Sequence, residues 1–261
     1  MDPLSLPDAP TLVLLMVVAL AAGWVDAVSG GGGLLQLPAL FIALPDAEPV
    51  QALATNKASS IAGTAAATAT YSRRVRPDVR TALPMLLAAI LGSAVGAITA
   101  SHLPAEVFRP IIVALLVVVW IWTLVRPGMG METSLRWKGR RRHYVVATVA
   151  GLVIGMYDGL LGPGTGSFLL IVLVGVLGYS FLQASSTAKV VNLGTNAAAM
   201  VVFAATGSVL WLLGGLMAVA NIAGGVIGAR MAIRRGSEFV RLVFLAVVGV
   251  LILRLAWELL P

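Results

Sequence analysis

The chain has 261 residues, 59% of them hydrophobic and 11% charged, with a mean hydropathy of +0.97 and a formal net charge of +7. A soluble domain cannot hide that much apolar surface, so the solvent is lipid and the expected fold class is an all-α polytopic membrane protein. Cys is absent, which excludes disulfides, thiolate metal sites and a Cys nucleophile.

The N-terminal stretch Met1–Pro10 carries two Asp and no Lys or Arg, and the apolar run after it continues into a longer unit. It is therefore not expected to be a cleaved signal peptide. A full span takes about 20 residues. On that scale the first half holds apolar segments at 11–28, 34–44, 50–71, 81–100 and 104–125. The second half holds them at 144–161, 165–178, 182–205, 209–230 and 239–258. The segments at 34–44 and 165–178 are too short to cross. A glycine-rich break precedes each: Gly30-Gly31-Gly32-Gly33 and Gly162-Pro163-Gly164-Thr165-Gly166.

The two halves repeat each other at a constant offset, 132 residues, the distance from Asp26 to Asp158. Gly23-Trp-Val-Asp26 recurs as Gly155-Met-Tyr-Asp158. Gln51, Thr55 and Lys57 recur as Gln183, Thr187 and Lys189, and Gly92 with Gly96 as Gly224 with Gly228. The predicted domains are a first transmembrane repeat (1–125), a basic cytoplasmic linker (126–143) and a second transmembrane repeat (144–261).

Of 18 Lys and Arg, 14 lie in three short stretches, 72–80, 126–142 and 230–241. That is the positive-inside pattern of a membrane protein, not the footprint of a nucleic-acid binder. The basic loop 71–80 has a neutral equivalent at 203–209. The neutral loop 101–105 has a basic equivalent around 230–235. Equivalent loops thus face opposite sides, and the halves are expected to be inverted repeats of about five helical segments each, with Gly-broken short helices near the midplane. Both termini are then expected outside and the linker in the cytoplasm, where Arg140-Arg141-Arg142 sets topology or meets anionic lipid.

The breaks admit two readings, close helix packing or an anion pathway. Glycine lets a ligand approach the backbone, and a helix starting after such a break aims N–H groups into it. At membrane depth, irregular backbone is tolerated only where it is buried or lines a cavity. The pathway reading is carried by Gly30, Gly31, Gly32, Gly33, Gly162, Gly164, Thr165 and Gly166. For Gly92/Gly96 and Gly224/Gly228, packing is the expectation.

Lys57 and Lys189 lie seven residues inside their segments, about 10 Å along a helix. A charge at such depth needs a partner, water or a route to the surface. Asp26 and Asp158 can neutralise the lysines, accept a coupling proton or cap the broken helices. The segments that bear the lysines are polar ladders. Gln51, Thr55, Asn56, Ser59, Ser60 and Thr64 lie on one; Gln183, Ser185, Ser186, Thr187, Asn192, Thr195 and Asn196 lie on the other. Such a stripe is interhelical glue or a hydrated path. The pairs Glu106/Arg109 and Glu238/Arg241 sit three apart on helix starts and are expected to pair locally. His102 and His143 stand at segment ends and make no metal site. Trp122, Trp211 and Trp257 suit the membrane interfaces.

Gly30–Gly33 with Pro38, followed by Gln51-Ala-Leu-Ala-Thr-Asn-Lys57, resembles the opening of the TauE/SafE family, the sulfite-exporter-like permeases also called TSUP. Asp158-Gly-Leu-Leu-Gly-Pro-Gly-Thr-Gly-Ser-Phe168, with Ser186-Thr-Ala-Lys189 and Asn192 to Asn196, resembles its second copy. Half two departs from the plain glycine run at Pro163 and Thr165. The resemblance implies a bacterial-type inner-membrane permease for small sulfur-containing or carboxylate anions.

The expected function is secondary transport of a small anion between inverted repeats, by alternating access. The candidate substrate residues are the break residues with Gln51, Thr55, Asn56, Lys57, Lys189, Asn192 and Asn196. The expected partners are the anion, the lipid bilayer and a coupling proton or ion. No cofactor, metal or catalytic residue is expected. Two alternatives stand: an anion channel of the same architecture, and an intramembrane aspartyl protease using Asp26 and Asp158.

Overall fold

The computed structural model describes residues 6–100, 121, 124–125, 130–137 and 139–257. All of the segment read at 104–125 except 121 and 124–125, together with His102 and the side chain of Trp257, lies outside the described residues, so Glu106, Arg109 and Trp122 do too.

Every regular element among the described residues is helical. Helix α1 (Ala9–Ser29) opens on a proline in its first turn and stops at Gly30, whose φ of 80° no β-carbon favours. Helix α2 (Gly33–Ala43) has 11 residues. At 1.5 Å per residue that is about 16 Å, half a bilayer core. Helix α3 (Pro49–Ser72) starts in a capping box, Glu48 with Gln51. Helix α4 (Val79–Thr99) starts on Asp78, whose carboxylate accepts from the Arg80 and Thr81 amides.

In the second half, α5 (Arg141–Leu160) is the counterpart of α1. Helix α6 (Thr165–Leu170) follows the second break and runs on as a π-helix, Ile171–Leu177, ended by Gly178 at φ 88°. Helix α7 (Phe181–Ala205) is capped by Ser180, which accepts from the Gln183 amide at the position equivalent to Glu48. Helix α8 covers Trp211–Trp257 and is broken only at Gly236, φ 75° and ψ −168°. The sequence suggests a basic loop around 230–235. Instead the helix continues through Arg234 and Arg235, since nothing before Gly236 disfavours it.

Five helical stretches are long and apolar enough to cross a membrane: Ala9–Ser29, Val79–Thr99, Arg141–Leu160, Phe181–Ala205 and Trp211–Val250, the last containing the Gly236 break. Helix α3 is as long, but its polar ladder lowers its hydropathy. The outer faces of the spans are apolar and exposed. Leu83, Leu87 and Leu91 on α4, and Val145, Val149 and Val153 on α5, recur at helical spacing. Such stripes suit lipid, the only solvent in which they cost nothing.

The halves interlock through glycine. A β-carbon on Gly92 would collide with the Leu152 carbonyl oxygen, and one on its equivalent Gly224 with that of Leu20. Gly96 lies against the Met156 carbonyl and Gly228 against that of Trp24. So α4 packs on α5, and α8 packs on α1, at equivalent positions. The same glycine-to-carbonyl contact thus occurs in both halves. The hydrogen bonds repeat it. Thr55 Oγ1 accepts from the Leu210 amide at 3.2 Å, and Thr187 Oγ1 from the Asp78 amide at 3.3 Å. Helices α3 and α7 meet at the centre and run antiparallel: Lys57 reaches Asn196 while Thr68, further along α3, bonds the Lys189 carbonyl.

The linker residues lie on the start of α7. The Ser134 amide donates to Gly178 and the Phe181 amide to Gly130, while Arg142 stacks 4.5 Å over the Trp137 ring.

Candidate functional site

The two glycine-rich breaks touch. A β-carbon on Gly30 would overlap the backbone of Gly166, and one on Gly166 would overlap Gly30. The Ser167 amide donates to the Gly30 carbonyl at 3.2 Å, and the Ser167 hydroxyl to that of Ser29 at 2.8 Å. These positions need glycine for the close approach itself, over and above the left-handed φ at Gly30.

Around this meeting point the buried charges pair across the halves. Lys57 Nζ lies 2.6 Å from Asp158 Oδ2, with both side chains almost wholly buried, at 2% and 1% exposure. Lys189 Nζ lies 2.8 Å from Asp26 Oδ2 and also donates to the Asp26 carbonyl. Each lysine of one half thus takes the aspartate of the other. The groups around the two pairs differ. Asp158 Oδ1 accepts from Thr165 at 2.6 Å, and Lys57 donates to Asn196 Oδ1 at 3.0 Å. Asp26 accepts from Thr64 at 3.3 Å and keeps 16% exposure. Thr165 stands where the first half has Gly33, so the departure from the glycine run supplies a hydroxyl to one carboxylate only.

A cavity of about 20 Å³ opens between these groups. It is lined by Asp26, Gly30, Gly33, Asn56, Lys57, Ser60, Asp158, Gly162, Gly164, Thr165, Gly166, Asn192 and Asn196. Gly162 leaves room for the ammonium, since a β-carbon there would stand 3.2 Å from Lys57 Nζ. Asn56 Oδ1 faces no hydrogen-bond partner among the described residues.

The remaining sequence candidates lie elsewhere. Gly31 faces Val247, and Gly32 packs against the Ala22 carbonyl. Gln51 caps α3 through the Glu48 amide. Thr55 holds the Leu210 amide. Lys189 stands behind Asp26, outside the lining.

Gln36 and Asn221 are among the buried polar residues that the sequence does not single out. Gln36 on α2 accepts from Asn221 of α8 at 2.9 Å and from Ser59 of α3 at 3.4 Å. Each is a lone amide in an otherwise apolar run, and that was the available signal.

A polytopic helical membrane protein with broken helices meeting at a buried charge cluster has the make-up of a membrane transporter. The chain belongs to the sulfite exporter TauE/SafE family, whose model matches residues 15–255. It is 35% identical over 245 residues to the "Probable membrane transporter protein ORF9" of Sinorhizobium sp, covering 94% of this chain and 92% of that one. It is 32% identical over 249 residues to the "Probable membrane transporter protein YfcA" of Escherichia coli (strain K12), covering 95% and 90%. A "Probable membrane transporter protein" of Haemophilus influenzae is 31% identical over 230 residues, 88% of each chain. No solved structure matches the chain closely enough to count.

Proposed function

We propose that this chain is a secondary transporter of a small anion, a sulfur oxyanion, sulfonate or carboxylate, in a bacterial-type inner membrane. The observation that carries this reading is Lys57, a buried ammonium at the meeting point of both breaks, facing a polar cavity. Charge at such depth is costly, and a pathway gives it a purpose.

The cavity has room for about one water. An anion of several heavy atoms enters only when the halves move apart, which favours alternating access over a channel. The antiparallel run of α3 and α7, with the swapped loop charges, supports two inverted repeats rocking about the centre. In that arrangement both termini lie outside and residues 126–143 in the cytoplasm. The aspartyl-protease alternative loses ground because each carboxylate is taken by a lysine and not by the other carboxylate.

A thermal-shift screen of the purified chain against sulfite, thiosulfate, sulfonates and carboxylates tests the reading. A true ligand at 100 times its Kd stabilises by about 2.7 kcal/mol. A substrate anion should raise Tm in the wild type and not in Lys57→Met. If none of these anions acts more strongly than chloride, the proposal fails.

A further inference from the structure

Four groups of opposite formal charge meet at the centre in two pairs, Lys57 with Asp158 and Lys189 with Asp26. The other cavity-lining residues are neutral. An entering anion must be met by Lys57, because Lys189 stands outside the lining, held by both the carboxylate and the carbonyl of Asp26. Yet Lys57 already belongs to Asp158. A monoanion that takes this ammonium leaves one negative charge without a partner among buried groups. A buried unpaired carboxylate is so costly that it takes up a proton instead.

We infer that a proton binds Asp158 together with the anion at Lys57, and that the two cross the membrane together. This rests on the anion-site reading above and names the co-substrate. The step balances simply. One O–H bond forms on the Asp158 carboxylate and one breaks in a hydronium ion that arrives from bulk solvent and is left as water, while the Lys57 ammonium keeps its three hydrogens. Asn56 Oδ1, a buried acceptor with no hydrogen-bond partner among the described residues, lines the same cavity and suits the water that delivers the proton.

The surroundings of Asp158 single it out. From α3 it faces Lys57, from the break it accepts from Thr165, whose hydroxyl also reaches the Gly162 carbonyl, and Tyr157 is its neighbour on its own helix. Asp26 of α1 lies across the cavity, already paired with Lys189 of α7. Helix α7 also supplies Asn196, which holds the Lys57 ammonium. Helix α4 presents the small residues Gly92, Ser93 and Gly96 to this end of α5. Protonating Asp26 would release only Lys189, which cannot reach an anion in the cavity. The equivalent pairs therefore divide the work: Lys57–Asp158 handles substrate, and Lys189–Asp26 holds the halves.

The test uses the purified full-length chain in detergent with three monoanions, methanesulfonate, ethanesulfonate and trifluoroacetate. The charge of each probe is constant from about pH 6 to 9, where free carboxyl groups are ionised. For whichever of them binds, affinity should fall about tenfold per unit rise in pH, with one proton taken up from weakly buffered solution per anion bound. Asp158→Asn should bind without pH dependence. The double variant Lys189→Met with Asp26→Asn should keep the wild-type slope. Should Asp158→Asn not fold, the wild-type slope and proton count decide alone. Binding with no proton uptake overturns the coupling and leaves the anion site standing. Failure of all three probes to bind overturns both.

Discussion

Lys57 and Asp158 come from different halves of the chain, yet their charged atoms lie 2.6 Å apart in surroundings that admit almost no solvent. Removing either partner strands the other charge, and breaking a buried pair costs about 3–5 kcal/mol. Lys57→Met and Asp158→Asn should each lower folded yield and Tm. The double variant should recover most of the loss while transport stays absent. A double variant that folds and still transports would reduce the pair to structure.

The glycine contacts between halves should be equivalent in energy because they are equivalent in place. Gly92→Ala and Gly224→Ala each drive a methyl into a backbone carbonyl of the neighbouring helix. Overpacking of this kind costs about 1–3 kcal/mol. Fluorescence-detected size exclusion should show both variants losing monodisperse protein to a similar degree. Gly139→Ala, with open space around the added carbon, should lose no more than the strain of its positive φ.

The threonine clamps give a second matched pair. Thr55→Val strands the Leu210 amide, and Thr187→Val the Asp78 amide. An unsatisfied buried donor costs about 1–3 kcal/mol. Thermal unfolding should show Thr55→Val losing stability while its substrate affinity holds, since Thr55 touches Leu210 and not the cavity.

Outside the spans, Tyr179 donates to Asp78 Oδ2 at 2.6 Å and links the halves at the linker end. Burial, helped by Asp78, holds its phenol above the ordinary value of 10.0. A raised folded value means the stabilisation is complete below about pH 10 and is lost as pH climbs through the folded value. Melting curves from neutral to strongly alkaline pH should therefore fall at the alkaline end more steeply for the wild type than for Tyr179→Phe. Equal slopes would refute the linkage.

Much of this was legible in the sequence because the repeat has no gaps. Apolar run lengths placed the helices, and the glycine breaks marked where they stop. Asp26, Lys57, Asp158 and Lys189 stood out as charges with no solvent to face. Their pairing did not, since a one-dimensional pattern cannot say which lysine crosses to which aspartate. Gln51 and Thr55 share the ladder with Lys57, but at helical spacing they turn to a cap and to Leu210 and away from the cavity. The π-helix at Ile171–Leu177 has no signature in hydrophobic periodicity. The helix through Arg234 and Arg235 carries a charge pattern equally suited to a loop.

Topology is open to direct assay. A reporter after Pro261 should behave as periplasmic, and one inserted at Gly139 as cytoplasmic, given the basic residues at 72–80, 126–142 and 230–241. A cytoplasmic C-terminus would contradict the inverted arrangement.

If Lys57 serves an anion that moves by alternating access, a closed membrane should concentrate that anion. Uptake into proteoliposomes measures it most directly, using the anion that raises Tm most. The wild type should accumulate that anion above its outside concentration when an inward proton gradient is imposed. Lys57→Met paired with Asp158→Asn should reconstitute and accumulate none. Flux that only dissipates a gradient, or uptake that survives loss of Lys57, would contradict the account.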